Sequence, residues 1–252
     1  MSNIKPIGRF APLDPGAGDG DELHFCSTCA FGEVCIPGGY DKQALQELHC
    51  LVEHVGPYHA GDHLFRAGEK FESIFAVRAG TVKTAMVDEG GREQILGFHL
   101  PGEMVGLNAI HPARYPCDAV ALDTVYVCRF SFPALATLAT RMPGIQQQLF
   151  NLLSADIGKA ALLAGDHNAS ERMAAFLILL ADRYAARGFS STRFRLSMSR
   201  GDIANHLRLA AETVSRVLRR FQDQDLIRVE EREVELLQPA ELRKLARCIL
   251  HA

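Results

Sequence analysis

Three of the chain's seven cysteines fall within ten residues, in the run Cys26-Ser-Thr-Cys29-Ala-Phe-Gly-Glu-Val-Cys35-Ile-Pro37. Thiolates this close in sequence can converge on one soft metal or cluster, because a loop wraps the ion with little strain. Three ligands do not close a tetrahedral sulfur site, so a fourth must come from elsewhere in the fold. On these residues alone an iron–sulfur centre and a structural zinc site are both open. The ten histidines show no pair at metal spacing, and His24 is the one placed to substitute as a ligand. Cys50 reads as a small core residue on an amphipathic helix, and Cys248 as a bystander near the C-terminus. The sequence shows no paired carboxylates, nucleophile elbow or phosphate loop, so nothing in it supports an enzyme.

The second group of residues is cationic. In Ser199-Arg-Gly-Asp202-Ile-Ala-Asn-His-Leu207, Ser199 and Asp202 make a capping-box start to a short helix. After a turn at Arg208, Ala211-Glu-Thr-Val-Ser-Arg-Val-Leu-Arg-Arg-Phe221 sets Val214, Val217, Leu218 and Phe221 on one face. That leaves Glu212, Thr213, Ser215, Arg216, Arg219 and Arg220 on the other. Two helices joined by a short turn make a helix-turn-helix, with Ala204 small where they approach. Arg pairs bidentately with guanine, Glu accepts from cytosine, and Ser serves several bases or a phosphate. Between Arg193 and Arg228 there are eight Arg against four acids, a segment of +4 in a chain of −3. That is the electrostatic footprint of double-stranded DNA binding. Arg200, beside the first helix, joins the candidates.

These groups need elements to hold them. The chain has 252 residues, enough for two modest domains, and no apolar run approaches a membrane span. With no basic-then-apolar leader, it reads as a soluble cytoplasmic protein with no membrane partner. Residues 1–25, rich in Pro and Gly, read as a flexible lead-in. A short helix is expected from Asp41, carrying Leu45, Leu48, Leu51 and Val52. From Val55 to about Phe130, short apolar runs alternate with turns; Phe75 to Val77, Val82 to Val87, Gln94 to Phe98 and Thr124 to Phe130 read as strands. Closely spaced strands and turns predict a small antiparallel β-roll. From Met142-Pro143 the pattern turns helical. Ile145, Leu149, Leu152, Leu153, Ile157, Ala160 and Ala164 form one stripe, which either lies on the roll or forms a seam with a second chain. Another helix starts at Asn168 or Ser170 and stops at Arg187-Gly188. Leu226 to Val229 and Glu233 to Leu237 are set to pair as a wing, and Pro239 to Ala252 as a final helix.

This order resembles the CRP/FNR superfamily of bacterial transcription regulators, across nearly the whole chain after the lead-in. More narrowly, it resembles the fumarate and nitrate reductase regulators, a group of oxygen sensors. The resemblance rests on Cys26-x2-Cys29-x5-Cys35-Ile-Pro37, Ile95-Leu-Gly-Phe-His-Leu100, Val127-Cys128, Glu171-Arg-Met-Ala-Ala-Phe176, Arg187-Gly-Phe-Ser190 and Glu212-Thr-Val-Ser215-Arg216. It implies an α+β fold: an N-terminal antiparallel β-roll sensor, a long dimerisation helix and a C-terminal winged helix-turn-helix. The matching divisions are 26–140, 141–167 and 168–252. It also implies Cys128 as the fourth ligand of a [4Fe–4S] cluster, with Cys117 as its competitor. Further implications are a homodimer that assembles on DNA at low oxygen, contacts with RNA polymerase, and a TTGAT inverted repeat read by Glu212, Ser215 and Arg216. Nitric oxide is the alternative signal for the same cluster, which the sequence does not separate from oxygen. The seam of that dimer would run through Leu149, Leu153, Ile157, Ala160 and Ala164. The rival reading is a zinc-stabilised or cofactor-free dimer that binds DNA constitutively.

The chain also departs from the pattern the resemblance implies. Where a cyclic-nucleotide relative would carry an Arg-Ser or Arg-Thr pair for the phosphate, this chain has Pro116-Cys117-Asp118, so no cyclic nucleotide is expected. Arg208 stands in the turn where the family usually has Gly, at a cost of about 1 kcal/mol if φ is positive, unless it serves a phosphate. Ala160 stands where some relatives carry an acid at the seam, which favours the dimer. Ala30 and Phe31 beside Cys29 alter access to the cluster, with no direction that follows from the sequence.

Overall fold

The computed structural model describes residue 48, residues 50–162 and residues 165–250, with backbone alone for 157–162. The expected thiol hook, lead-in and residues 41–47 lie outside the described residues. Two compact units are present: 1–84 with 98–153, and 85–97 with 154–252. Among the described residues, no helix is long and apolar enough to cross a membrane.

The strands before the first helix are β1 (Val52–Tyr58), β2 (His63–Phe65), β3 (Ser73–Ala79), β4 (Val82–Val87), β5 (Glu93–His99), β6 (Met104–Val105), β7 (Asp118–Ala121) and β8 (Val125–Ser131), all in the first unit except the parts of β4 and β5 within 85–97. They form two four-stranded sheets, in the orders β1-β8-β3-β6 and β2-β7-β4-β5. Strand alternation sends successive residues of β8 to opposite faces. Val125 and Val127 join Phe65, Phe75, Val82 and Tyr115 in one core, while Cys128 and Phe130 face a second core with Ile74, Met104 and Leu135. Tyr115 stacks on Phe65 at 3.8 Å between ring centroids, and its hydroxyl donates to the Ser73 carbonyl at 2.6 Å.

Two helices follow: α1 (Phe132–Arg141), with Pro133 in its first turn, and α2 (Pro143–Leu162), whose residues up to 153 belong to the first unit. The sequence pattern put the helical region only from Met142, so α1 was missed; its apolar residues are few and near the strand run. Ile145 is fully buried in the second core, and Leu149, Leu152 and Leu153 pack against it. The first half of the stripe therefore serves the chain's own core, as one of the two readings required. Two further expectations fail. Val52 opens β1 and does not end a helix, since its strand pairs with Phe130. Cys50 is exposed in the turn before β1, outside any core.

The second unit begins with α3 (Ala169–Ala185), capped by Asn168, whose side-chain oxygen accepts from the Ser170 and Glu171 N–H groups while Glu171 bonds back to the Asn168 N–H. Such a box satisfies donors that a helix start leaves open. It is followed by β9 (Arg193–Arg195), α4 (Arg200–Leu207), α5 (Ala211–Asp223), β10 (Ile227–Glu230), β11 (Glu233–Leu236), α6 (Pro239–Leu245) and α7 (Arg247–Leu250). The last two replace the single closing helix expected. The expected wing pairs, and β9 joins it as a third strand in the order β10-β11-β9. Across that sheet Arg193 lies opposite Glu235 and Arg195 opposite Glu233, and Arg228 bonds Glu235 at 2.9 Å. Residues 85–97 belong to this unit. The Asn205 amide donates to the Glu93 carbonyl and its oxygen accepts from the Ile95 N–H, each at 2.7 Å.

Candidate DNA-reading helix and thiolate site

Ser199 caps α4 as expected: its hydroxyl accepts from the Asp202 N–H at 3.0 Å, and the Asp202 carboxylate accepts from the Ser199 N–H at 3.0 Å. The helix ends at Arg208, which adopts φ 56° and ψ 46°, the left-handed conformation expected for that turn. Its N–H closes the helix on the Ala204 and Asn205 carbonyls. The chain then turns directly into α5. Val214, Val217, Leu218 and Phe221 are buried, as are Ile203, Ala204 and Leu207 of α4, and the two helices are in contact. This packing fixes which face of α5 turns outward: Glu212, Ser215, Arg216, Arg219 and Arg220 are exposed and Thr213 is half-exposed.

On that face the polar groups are held in part by their own helix. The Ser215 hydroxyl donates to the Ala211 carbonyl at 3.1 Å, and an Arg216 Nη donates to the Thr213 hydroxyl at 3.2 Å. Both contacts are weak enough to be exchanged for base edges or phosphates. Arg200 differs. It is half-buried at the start of α4, where burial pulls its guanidinium below the ordinary value. Two supports went unread in the sequence. Arg172 of α3 donates to the carbonyls of Gly165, His167 and Leu207, so one cation ties the approach to α3 to the end of α4. His206 packs edge-on to Phe176 and lies 3.4 Å from the Ile95 carbonyl. Arg172 lies inside a motif already quoted, but nothing in that motif's spacing announces three carbonyls.

The thiols separate by face. Cys128 is half-buried on β8, opposite His54 of β1 and Ala76 of β3. Its sulfur lies 3.5 Å from His54 Nδ1, and an Arg78 Nη lies 3.3 Å from the same nitrogen. The thiolate is the form in which a cysteine binds metal. Cys117 is fully buried in the other core, where burial pushes its thiol up; the Asn108 amide donates to it at 3.5 Å and only partly opposes this. Cys26, Cys29 and Cys35 lie outside the described residues. Among the described residues, no three His, Cys, Asp or Glu gather to hold a metal. Cys128 could therefore be one corner of a site whose other ligands come from outside that set. Leu149 and Leu153 are placed on their own core, and the side chains of Ile157, Ala160 and Ala164 lie outside the described residues.

Against known proteins, residues 171–245 match a Crp-like helix-turn-helix domain and residues 56–141 a cyclic nucleotide-binding domain. The fumarate and nitrate reduction regulatory protein of Vibrio cholerae is 41% identical over 88% of this chain and 90% of its own length. The chain belongs to the CRP/FNR family of transcription regulators. An anaerobic regulatory protein of Haemophilus influenzae is 44% identical over 81% of each chain. Among solved structures, FixK2 from Bradyrhizobium japonicum superposes with a TM-score of 0.70 at 27% identity, covering 77% of this chain and 96% of its own. As a member of the CRP/FNR family, the chain is a DNA-binding regulator and not an enzyme, with a nucleotide-binding-type β-roll and a C-terminal helix-turn-helix.

Proposed function

We propose that this regulator is a cytoplasmic oxygen sensor that controls gene expression at low oxygen through a cluster held by Cys26, Cys29, Cys35 and Cys128. The observation that carries the reading is Cys128, a half-buried thiol beside His54 and Arg78, on the opposite face of the sheet from Cys117. That donor chemistry fits an iron–sulfur group at one corner, and the three clustered thiols of the sequence supply the rest. When bound, a [4Fe–4S] cluster would supply oxygen-labile chemistry. The chain's own residues do the remainder. Binding at Cys26, Cys29 and Cys35 would order 26–37, and α2 would convey that order to the seam of a homodimer, which includes Ile157, Ala160 and Ala164. Pairing sets two copies of α5 about 34 Å apart, one turn of DNA. Each would read a half-site of a TTGAT inverted repeat through Glu212, Ser215 and Arg216, with Thr213, Arg219 and Arg200 in support, and present the dimer to RNA polymerase.

The division into 26–140 as sensor, 141–167 as dimer helix and 168–252 as DNA-binding domain belongs to the same proposal. A nucleotide ligand has little support. The side chains of Phe65, Phe75, Tyr115 and Cys117 fill the roll's interior, and Asp118 accepts from the Ala67 N–H at 2.7 Å, where a phosphate would meet like charge. The test is an absorption spectrum with iron and sulfide assays on protein purified without oxygen. A brown protein with about four irons per chain, bleaching in air, is the expected result. A colourless, zinc-bearing or metal-free dimer that still binds DNA would replace the oxygen switch with a constitutive regulator.

A further inference from the structure

We propose that Arg208 is a backbone-phosphate anchor of the helix-turn-helix, held at a strained position for that contact. The proposal rests on the DNA-binding part of the reading above and not on the cluster. Three observations converge on it. The residue is at φ 56°, a conformation glycine adopts freely and an L side chain resists. Its only structural task, closing α4, is done by its backbone N–H on Ala204 and Asn205, which glycine would do as well. The side chain is exposed, and among the described residues nothing takes a hydrogen bond from its guanidinium. Other arginines of the same unit are used within it: Arg172 on three carbonyls, Arg228 on Glu235 and Arg243 on Asp182.

Position then decides the partner. Arg208 stands three residues before Ala211, the first residue of α5, in the turn that links it to the helix crossing the backbone when such a motif docks. From there a guanidinium meets the phosphates flanking the half-site and not the base edges reached by Arg216. A phosphate contact carries no sequence information. It adds affinity to any duplex and steepens the salt dependence by about 0.9 in the slope of log K against log salt for each phosphate neutralised.

The experiment uses the full-length protein, handled without oxygen, with one duplex carrying the inverted repeat and one of unrelated sequence. Binding is titrated over a range of salt, and thermal unfolding is followed in parallel. Arg208→Gly should raise Tm, weaken binding to both duplexes by a similar factor and lower the salt slope by about 0.9 per protomer. Arg208→Gln keeps the strain and loses the charge, so it should weaken binding without the gain in Tm. Arg208→Lys should retain the slope. Arg216→Ala, by contrast, should erode preference for the repeat. A Gly variant with an unchanged slope overturns the proposal, as does one that weakens binding to the repeat alone. Failure of the TTGAT reading would show instead as wild-type protein with no preference between the duplexes, whatever the Arg208 variants do to the slope.

Discussion

Two thiols eleven positions apart have opposite surroundings. Cys117 sits among apolar side chains that disfavour its charged form, and Cys128 is half-buried on the other face with its sulfur 3.5 Å from His54 Nδ1. Cys128→Ala is therefore expected to lose most of its iron after anaerobic reconstitution. Cys117→Ala should retain about four irons per chain, as a cubane requires. Iron and sulfide assays on the two variants decide between them, and iron retained without Cys128 but lost without Cys117 would reverse the assignment. The contrast was not legible in the residues themselves; the resemblance named Cys128, and Cys117 stood as its competitor. The strand register provides it, because alternation sends Val127 inward and Cys128 outward. The recognition face of α5, in contrast, was legible residue by residue, since a helix buries one stripe and Val214, Val217, Leu218 and Phe221 declared which.

Among the elements, α4 shows how a small helix is held. Its cap was readable from Ser199 and Asp202, but its contacts with residues 85–97 were not, because Asn205 and Ile95 are 110 positions apart. Next to Asn205, burial pulls the His206 imidazole below its ordinary value; the Ile95 carbonyl partly opposes this, and the Arg183 charge adds to it. The folded state therefore takes up this proton less readily than the unfolded chain. The resulting stability is present above the unfolded histidine value, about 6.5, and is lost as pH falls from there towards the lower folded value. Tm should drop on acidification through that window, and His206→Gln should flatten the drop. An equal drop in the variant would show that another group is responsible. The helix α1 was missed for a related reason: its start at Phe132-Pro133 continues the apolar texture of β8, and nothing local separates them.

For the whole molecule, the readable part was the order of elements and the unreadable part was which faces they share. The first half of the α2 stripe packs on the chain's own core with Leu149, Leu152 and Leu153 still half-buried, and the proposed dimer seam adds Ile157, Ala160 and Ala164 from the C-terminal half. With Ala160 there in place of an acid, cluster-free protein should sediment with a measurable dimer fraction, and a clean monomer would count against the seam. The wing has a consequence of a different kind. Its arginines face glutamates across the strands, so that sheet is nearly neutral, and Arg208, Arg216, Arg219 and Arg220 carry exposed positive charge on the outer face of α5 and in the turn before it. A broadly basic domain lingers on any duplex it meets. One whose positive charge is confined to a narrow edge releases random sequence quickly and shortens its search of a chromosome for the few sites that match.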